Sequence, residues 1–216
     1  MAAALTVAAI FRAHFPEFLE VHPRLPVFLK KALFAIMNCR SGVLGSRVVE
    51  CPQCGHREER PNSCRHRGCP QCEGAKDAAW MQARQDELLP VHYFHVVFTV
   101  PHVLNVLFLA NPRLCYSLFF QAVAKTLLTV GRNRLDAQLG FFAILHTWGQ
   151  QLTVHHHIHC AVPGGGVKAD GAWVNTSKRT RYFAPTKVLS VVFRGILLKA
   201  LRSAYTKGKL TFNGDF

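Results

Sequence analysis

The sequence predicts an α+β protein in two parts. The first is a small cysteine-held ribbon with flanking helices, and the second an incomplete ferredoxin-like antiparallel sheet with helices, one strand short at the end. Two observations carry this. Residues 45–73 are dominated by Cys, Pro, Gly and Arg and hold two copies of Cys-Pro-Gln-Cys. From residue 92 the patterning reads strand, helix, strand, strand, helix. The boundary falls near Pro90, giving parts 1–89 and 90–216.

Residues 5–14 and 26–38 read as short helices. In the second, Val27, Leu29, Ala32, Leu33, Ile36 and Met37 approximate helical spacing, Lys30 and Lys31 fall on another face, and Pro26 suits a helix start. A helical pattern returns over 75–89 and stops at Pro90. Phe94, Val96, Val97, Phe98, Thr99 and Val100 favour a strand over 92–101, closed by Pro101. Residues 112–130 read as a helix, 140–147 as a strand, 148–153 as a turn bent at Gly149, and 155–162 as a second strand broken by Gly164–Gly166. A polar, basic loop then leads to a helix over 186–206.

Half of the 216 residues are hydrophobic and 11% aromatic, so a core can form and general disorder is excluded. Lys and Arg number 26 against 12 Asp and Glu, a net charge of +14. That surplus suits a polyanionic partner, with nucleic acid the default. Residues 1–87 carry 12 basic and 9 acidic side chains, whereas residues 88–216 carry 14 and 3. The second part is therefore the expected electrostatic footprint. No signal peptide and no membrane-spanning run is read, so the expected setting is cytoplasmic, with no membrane partner.

The eight cysteines include Cys51-x2-Cys54 and Cys69-x2-Cys72, separated by 14 residues. Each such pair can grip one Zn²⁺ from a tight turn, and two pairs complete a tetrahedral four-thiolate site with no open position, hence structural. Cys51, Cys54, Cys69 and Cys72 are the expected ligands, and Cys64 is a further candidate. Cys39, Cys115 and Cys160 sit in apolar settings and read as core. Arg57, Arg60, Arg65 and Arg67 surround the cluster as candidates for phosphate contact, as do Lys178, Arg179 and Arg181 in the basic loop.

The second cluster runs from His146 to His159. On a strand, His157 and His159 project from one face with Ile158 turned the other way. Two imidazoles so placed can share a metal ion. His146, on the preceding strand of the hairpin, is the favoured third ligand over His155 or a residue beyond Phe216. His92, His95 and His102 read as surface or packing residues.

Taken together, the segments IFRAH (10–14), CPQCG (51–55), NSCRHRGCPQC (62–72), YFHVVFTVP (93–101), HTWGQ (146–150) and HIHCAVPGGG (157–166) resemble the rolling-circle transposases of the insertion-sequence ninety-one family. The resemblance implies a zinc-binding domain followed by a His-hydrophobe-His nuclease domain. It further implies a catalytic Mg²⁺ or Mn²⁺ on His157 and His159, and nicking and joining of single-stranded DNA at element ends. In that chemistry a tyrosine attacks the scissile phosphate and forms a phosphotyrosine. The family has proline where His156 stands, histidine where Val154 stands, and histidine where Gly68 stands. Its paired tyrosines lie beyond this region, and Tyr93, Tyr116, Tyr182 and Tyr205 form no such pair, so the expectation is a truncated and inactive transposase. The rival reading is a zinc-ribbon nucleic-acid binding protein without catalysis. A zinc hydrolase fits less well, because only Asp136 and Asp170 lie near the histidines in sequence.

Overall fold

The structure, a computed structural model, describes residues 5–176 and 184–212. It divides into two compact units, Met1–Leu88 and Leu89–Phe216. In the first unit, helix α1 (Val7–Val21) is capped by the Thr6 hydroxyl, which accepts the Ala9 amide at 3.1 Å. Helix α2 (Val27–Met37) packs beside it. Strands β1 (Ser46–Glu50) and β2 (Arg57–Pro61) form an antiparallel hairpin whose ten residues are all exposed. Helix α3 (Pro70–Asp86) starts five residues earlier than the sequence pattern suggests. Pro70 sits in its first turn, where a missing N–H costs nothing. That start draws Cys72 onto the helix, just after the capping residue Cys69.

The second unit is built on strands β3 (Tyr93–Thr99), β4 (Phe142–Trp148) and β5 (Val154–Pro163), in spatial order β3-β5-β4 and antiparallel throughout. Between β3 and β4 the chain runs through a short 3-10 turn (His102–Leu104), helix α4 (Asn105–Ala110) and helix α5 (Pro112–Leu135). After β5, a small hairpin of β6 (Gly165–Val167) and β7 (Trp173–Asn175) occupies part of the stretch expected as a loop, and helix α6 (Thr186–Thr206) follows.

The buried residues of α5 include Cys115, Phe119, Val123, Thr126, Leu127 and Val130, those of α6 Leu189, Phe193, Leu197 and Leu201. Both sets recur at helical spacing and form one core with Phe94, Phe98, Ile158, Cys160 and Val162 of the sheet. Phe193 bridges the layers, 5.0 Å from the ring of Phe98 and 5.7 Å from that of Phe119. By length and composition alone α5 is long and apolar enough to cross a bilayer. Yet 44% of its most apolar window is buried inside the protein, as expected of a core helix.

The β4–β5 turn also departs from expectation. Its left-handed residue is Leu152, at φ 57°, rather than Gly149, whose amide donates to the Thr153 carbonyl at 2.9 Å. A left-handed conformation costs a residue with a Cβ about 1–2 kcal/mol, and the Leu152 side chain is 80% exposed and so loses little if removed. Part of the gain is offset by the greater freedom of glycine in the unfolded chain. Leu152→Gly is expected to stabilise this unit by about 0.5–1 kcal/mol in chemical denaturation, and a destabilised variant would contradict this account of the turn.

Candidate metal centres

The first unit gathers four thiols, but not the expected four. Cys39, Cys64, Cys69 and Cys72 bring their sulfur atoms within 4.8 Å of one another. Cys72 Sγ lies 3.5 Å from Cys39 Sγ and 3.6 Å from Cys64 Sγ, and the amides of Cys64 and His66 point at Cys39 Sγ and Cys64 Sγ, each at 3.5 Å. Burial opposes ionisation of Cys39, Cys64 and Cys72. It pushes Cys64 up to about 12, but at Cys72 the hydrogen bonds from Cys39 and Cys64 outweigh burial and bring it down to about 7. Four thiols so placed, with amides aimed at sulfur, fit a tetrahedral zinc site.

Cys51 and Cys54, the expected partners of Cys69 and Cys72, lie outside this cluster, and the hairpin holds them apart. Cys39 and Cys64 flank its base, where the Arg40 amide donates to the Asn62 carbonyl. Cys51 and Cys54 sit at its tip, beyond strands of five residues that span about 16 Å at 3.3 Å per residue. There the amides of Gln53 and Cys54 lower the Cys51 thiol. Cys64, a secondary candidate by sequence, belongs to the group. Cys39 was missed because its only signal was a single cysteine at the end of an apolar helix. His66 stays outside the group, its Nδ1 accepting the Gly68 amide at 3.1 Å. Cys115 and Cys160 are core residues, pushed by burial up to about 11 and about 12.

In the second unit His146, His157 and His159 do converge, offering ring nitrogens within 4.8 Å of one another. His157 faces His146 across the β4–β5 ladder, with ring centroids 5.2 Å apart, and His159 stands 4.8 Å from His157 and 4.6 Å from His146. His155 shares the face, whereas His156 turns inward, fully buried against Phe108 and hydrogen-bonded to the Tyr116 hydroxyl at 3.3 Å.

Both His-hydrophobe-His rings are anchored by their Nδ1 atoms. His157 Nδ1 donates to the His155 carbonyl at 2.9 Å. His159 Nδ1 lies 2.7 Å from His95 Nε2 with the two rings only 8° from coplanar, the geometry of an in-plane hydrogen bond between imidazoles. With Nδ1 of His157 donating to a carbonyl, its Nε2 is left as a lone-pair donor, and the same holds for His159 in the tautomer whose Nδ1 donates to His95. Burial, and then the neighbouring His146, His157 and His95, hold His159 below the usual histidine range and so favour the neutral, ligating form. His95 was read from sequence as surface or packing. Its strand parity, two residues from Val97 and facing Ala161, was the available signal.

The arginines divide. Arg57 pairs with Glu50 at 2.9 Å and Arg60 with Glu58 at 2.7 Å, while Arg65 and Arg67 are exposed on the loop before Cys69. Lys178, Arg179, Arg181 and Tyr182 lie outside the described residues.

Residues 10–100 match the family described as "Transposase zinc-binding domain", and residues 140–215 match one described as "Putative transposase". The chain is 43% identical over 212 residues to "Putative transposase y4qJ" of Sinorhizobium fredii (strain NBRC 101917 / NGR234), covering 97% of this chain and 53% of that protein. It is 32% identical over 144 residues to "Transposase for insertion sequence element IS801" of Pseudomonas savastanoi pv. phaseolicola, covering 66% and 35%. The chain thus spans about half the length of the first of these relatives and about a third of the second. Among solved structures it is similar to conjugative relaxase TrwC in complex with oriT DNA. A metal-bound form shares 18% identity, a TM-score of 0.42 and 50% of this chain with 42% of that one; a copper-bound form gives 18%, 0.44, 56% and 46%.

Two outcomes follow from the thiol geometry. Cys39→Ser is expected to weaken zinc binding at least about tenfold, while Cys51→Ser/Cys54→Ser leaves it within about twofold, measured by competition with a chromogenic chelator. The reverse ranking would return the centre to the two Cys-Pro-Gln-Cys pairs. In metal-free protein, Cys72 is expected to be alkylated well before Cys64, with a rate that falls as pH drops through about 7 because the reactive thiolate is lost there. Mass spectrometry of the modified peptides reads both.

Proposed function

We propose, because the chain belongs to the insertion-sequence ninety-one family of transposases, that it acts on single-stranded DNA at element ends as the zinc-binding and metal-dependent nicking portion of a transposase. The observation that carries the reading is the convergence of His146, His157 and His159 on the open face of the sheet. The donor set is three imidazoles, two of them with Nδ1 committed elsewhere, and among the described residues no carboxylate shares the group. Such a set favours Mn²⁺ over Mg²⁺, which prefers oxygen ligands and keeps its waters.

A divalent ion held there supplies Lewis acidity to a scissile phosphate. The chain's own part is to hold three neutral nitrogens at one point and to keep two of the rings from turning. His95 is a positioning residue in this reading, since it touches His159 and not the ion. The family's attacking group is a tyrosine: its oxygen bonds to phosphorus, the bond to the 3′ oxygen breaks, and a 3′ hydroxyl is released. No described tyrosine is assigned that role. The Tyr116 hydroxyl bonds to buried His156, that of Tyr93 accepts the Leu89 amide at 3.0 Å, and Tyr205 is exposed near the end of α6. Cys39, Cys64, Cys69 and Cys72 hold the structural zinc in this reading, and the basic surface contacts DNA.

Manganese binding followed by electron paramagnetic resonance tests the centre. The His157→Ala/His159→Ala variant is expected to lose Mn²⁺ binding by about two orders of magnitude while keeping its fold by circular dichroism. Undiminished binding would leave the non-catalytic zinc-dependent nucleic-acid binding protein as the reading. His95→Ala is expected to weaken Mn²⁺ about tenfold, with partial recovery in His95→Gln, which can still accept the Nδ1 proton. An unaltered ¹⁵N tautomer signature of His159 in His95→Ala would remove His95 from its positioning role.

A further inference from the structure

The cavity at the base of the β1–β2 hairpin belongs to neither metal centre. Its volume is about 590 Å³, and its walls include Arg40, Arg47, Arg60, Arg65, Asn62 and Ser63, with no carboxylate and no aromatic ring among them. Arg60 is partly compensated by Glu58. Arg40, Arg47 and Arg65 enter no ion pair among the described residues.

Two features set these arginines apart from a solvated basic surface. Arg47 and Arg60 are direct cross-strand partners, an arrangement that like charges disfavour. Arg40 and Arg65 are both left-handed, at φ 54° and 53°, a conformation that side chains bearing a Cβ resist. Each follows a cysteine of the thiol group, Cys39 and Cys64. In both Cys-Arg pairs the sulfur joins the cluster and the arginine lines the cavity. Charge repulsion and backbone strain therefore converge on one concave, cationic space, and a polyanion offsets the first of them.

We propose that this cavity is a phosphate clamp for the backbone of single-stranded DNA. The proposal rests on the DNA-acting function above and extends it to a site outside the histidine centre, in the unit with the smaller net charge. Guanidinium forks suit phosphate oxygens bidentately. The lack of an aromatic wall removes any platform for base stacking, so the clamp reads backbone and not sequence.

Fluorescence anisotropy with zinc-loaded protein and labelled single-stranded oligonucleotides, over a salt series, tests this. Arg40→Ala/Arg47→Ala is expected to weaken binding about tenfold at low salt, equally for unrelated sequences, and to reduce the slope of log K against log salt by about one to two. Lys76→Ala, which removes a charge paired with Glu73 on α3, is expected to stay within about twofold. Unchanged affinity and slope in the double variant overturn the proposal. Should that variant fail to retain zinc, Arg47→Gln on the exposed strand is read in its place, with a loss of about threefold expected and no loss overturning. Inorganic phosphate at matched ionic strength should compete in the parent and not in the variant. A cavity that takes phosphate but whose loss leaves oligonucleotide binding intact is a free-anion site, which also overturns the proposal. Mn²⁺ binding by the arginine variant separates the two readings: it stays intact if only the clamp is removed, whereas failure of the histidine reading shows in the His157→Ala/His159→Ala variant with the arginine effect unaltered.

Discussion

Alternation along β5 is the constraint on which the second unit depends. This strand is central, hydrogen-bonded on both sides, so its phase dictates that of its neighbours. Ile158, Cys160 and Val162 are fully buried, and their hold on the core sends His155, His157 and His159 the other way. The ladders then bring His146 opposite His157 on one side and His95 diagonal to His159 on the other. A slip of one residue would bury three imidazoles and expose three apolar side chains, so the core, and not the histidines, sets the register. His156 is the exception to this apolar phase: Phe108 covers its ring and Tyr116 reaches its Nδ1, while its buried Nε2 has no hydrogen-bond partner among the described residues.

The first unit meets a different problem. Its hairpin buries no residue, and its compact cluster of buried residues consists of Ile36, Cys39 and Cys69, with Phe11, Cys64 and Cys72 partly buried around them. So small an apolar cluster cannot by itself offset the ordering of some eighty residues. Four thiols drawn from the end of α2, the loop after β2 and the start of α3 meet at one point, where a bound zinc ion would tie those pieces together, the usual remedy for a module too small to be held by burial. The hairpin projects away from that knot, which is why its tip cysteines take no part in it.

Much of this was legible beforehand. Strands at 92–101, 140–147 and 155–162, and helices at 112–130 and 186–206, rest on strong apolar periodicity, and each appears within a few residues of its expected bounds. That His157 and His159 share a face was readable from strand parity, and the approach of His146 from its place on the preceding strand of the hairpin. What failed did so for want of a local signal. Two Cys-x2-Cys motifs invite pairing with each other, but spacing says nothing about the hairpin that holds one of them apart. Cys39 lies 12 residues before the first motif, outside any motif window, and enters the group through the fold of α2. The early start of α3 came from a proline within the motif, read as part of a metal turn and not as a helix-initiating residue. Charge counting favoured the second unit, while the cavity that gathers four arginines is in the first. Net charge measures a sum, and convergence depends on backbone turns at Arg40 and Arg65 that composition does not encode.

The Arg47–Arg60 pairing has a consequence beyond recognition. Two cations paired across a hairpin repel one another, and Glu58 beside Arg60 and salt screening relieve that only in part. A bound strand of nucleic acid would serve as the missing counter-charge. By thermodynamic linkage, a fold that gripped the polymer there would also be braced by it, so that resistance to heat and proteolysis would rise in the assembled complex.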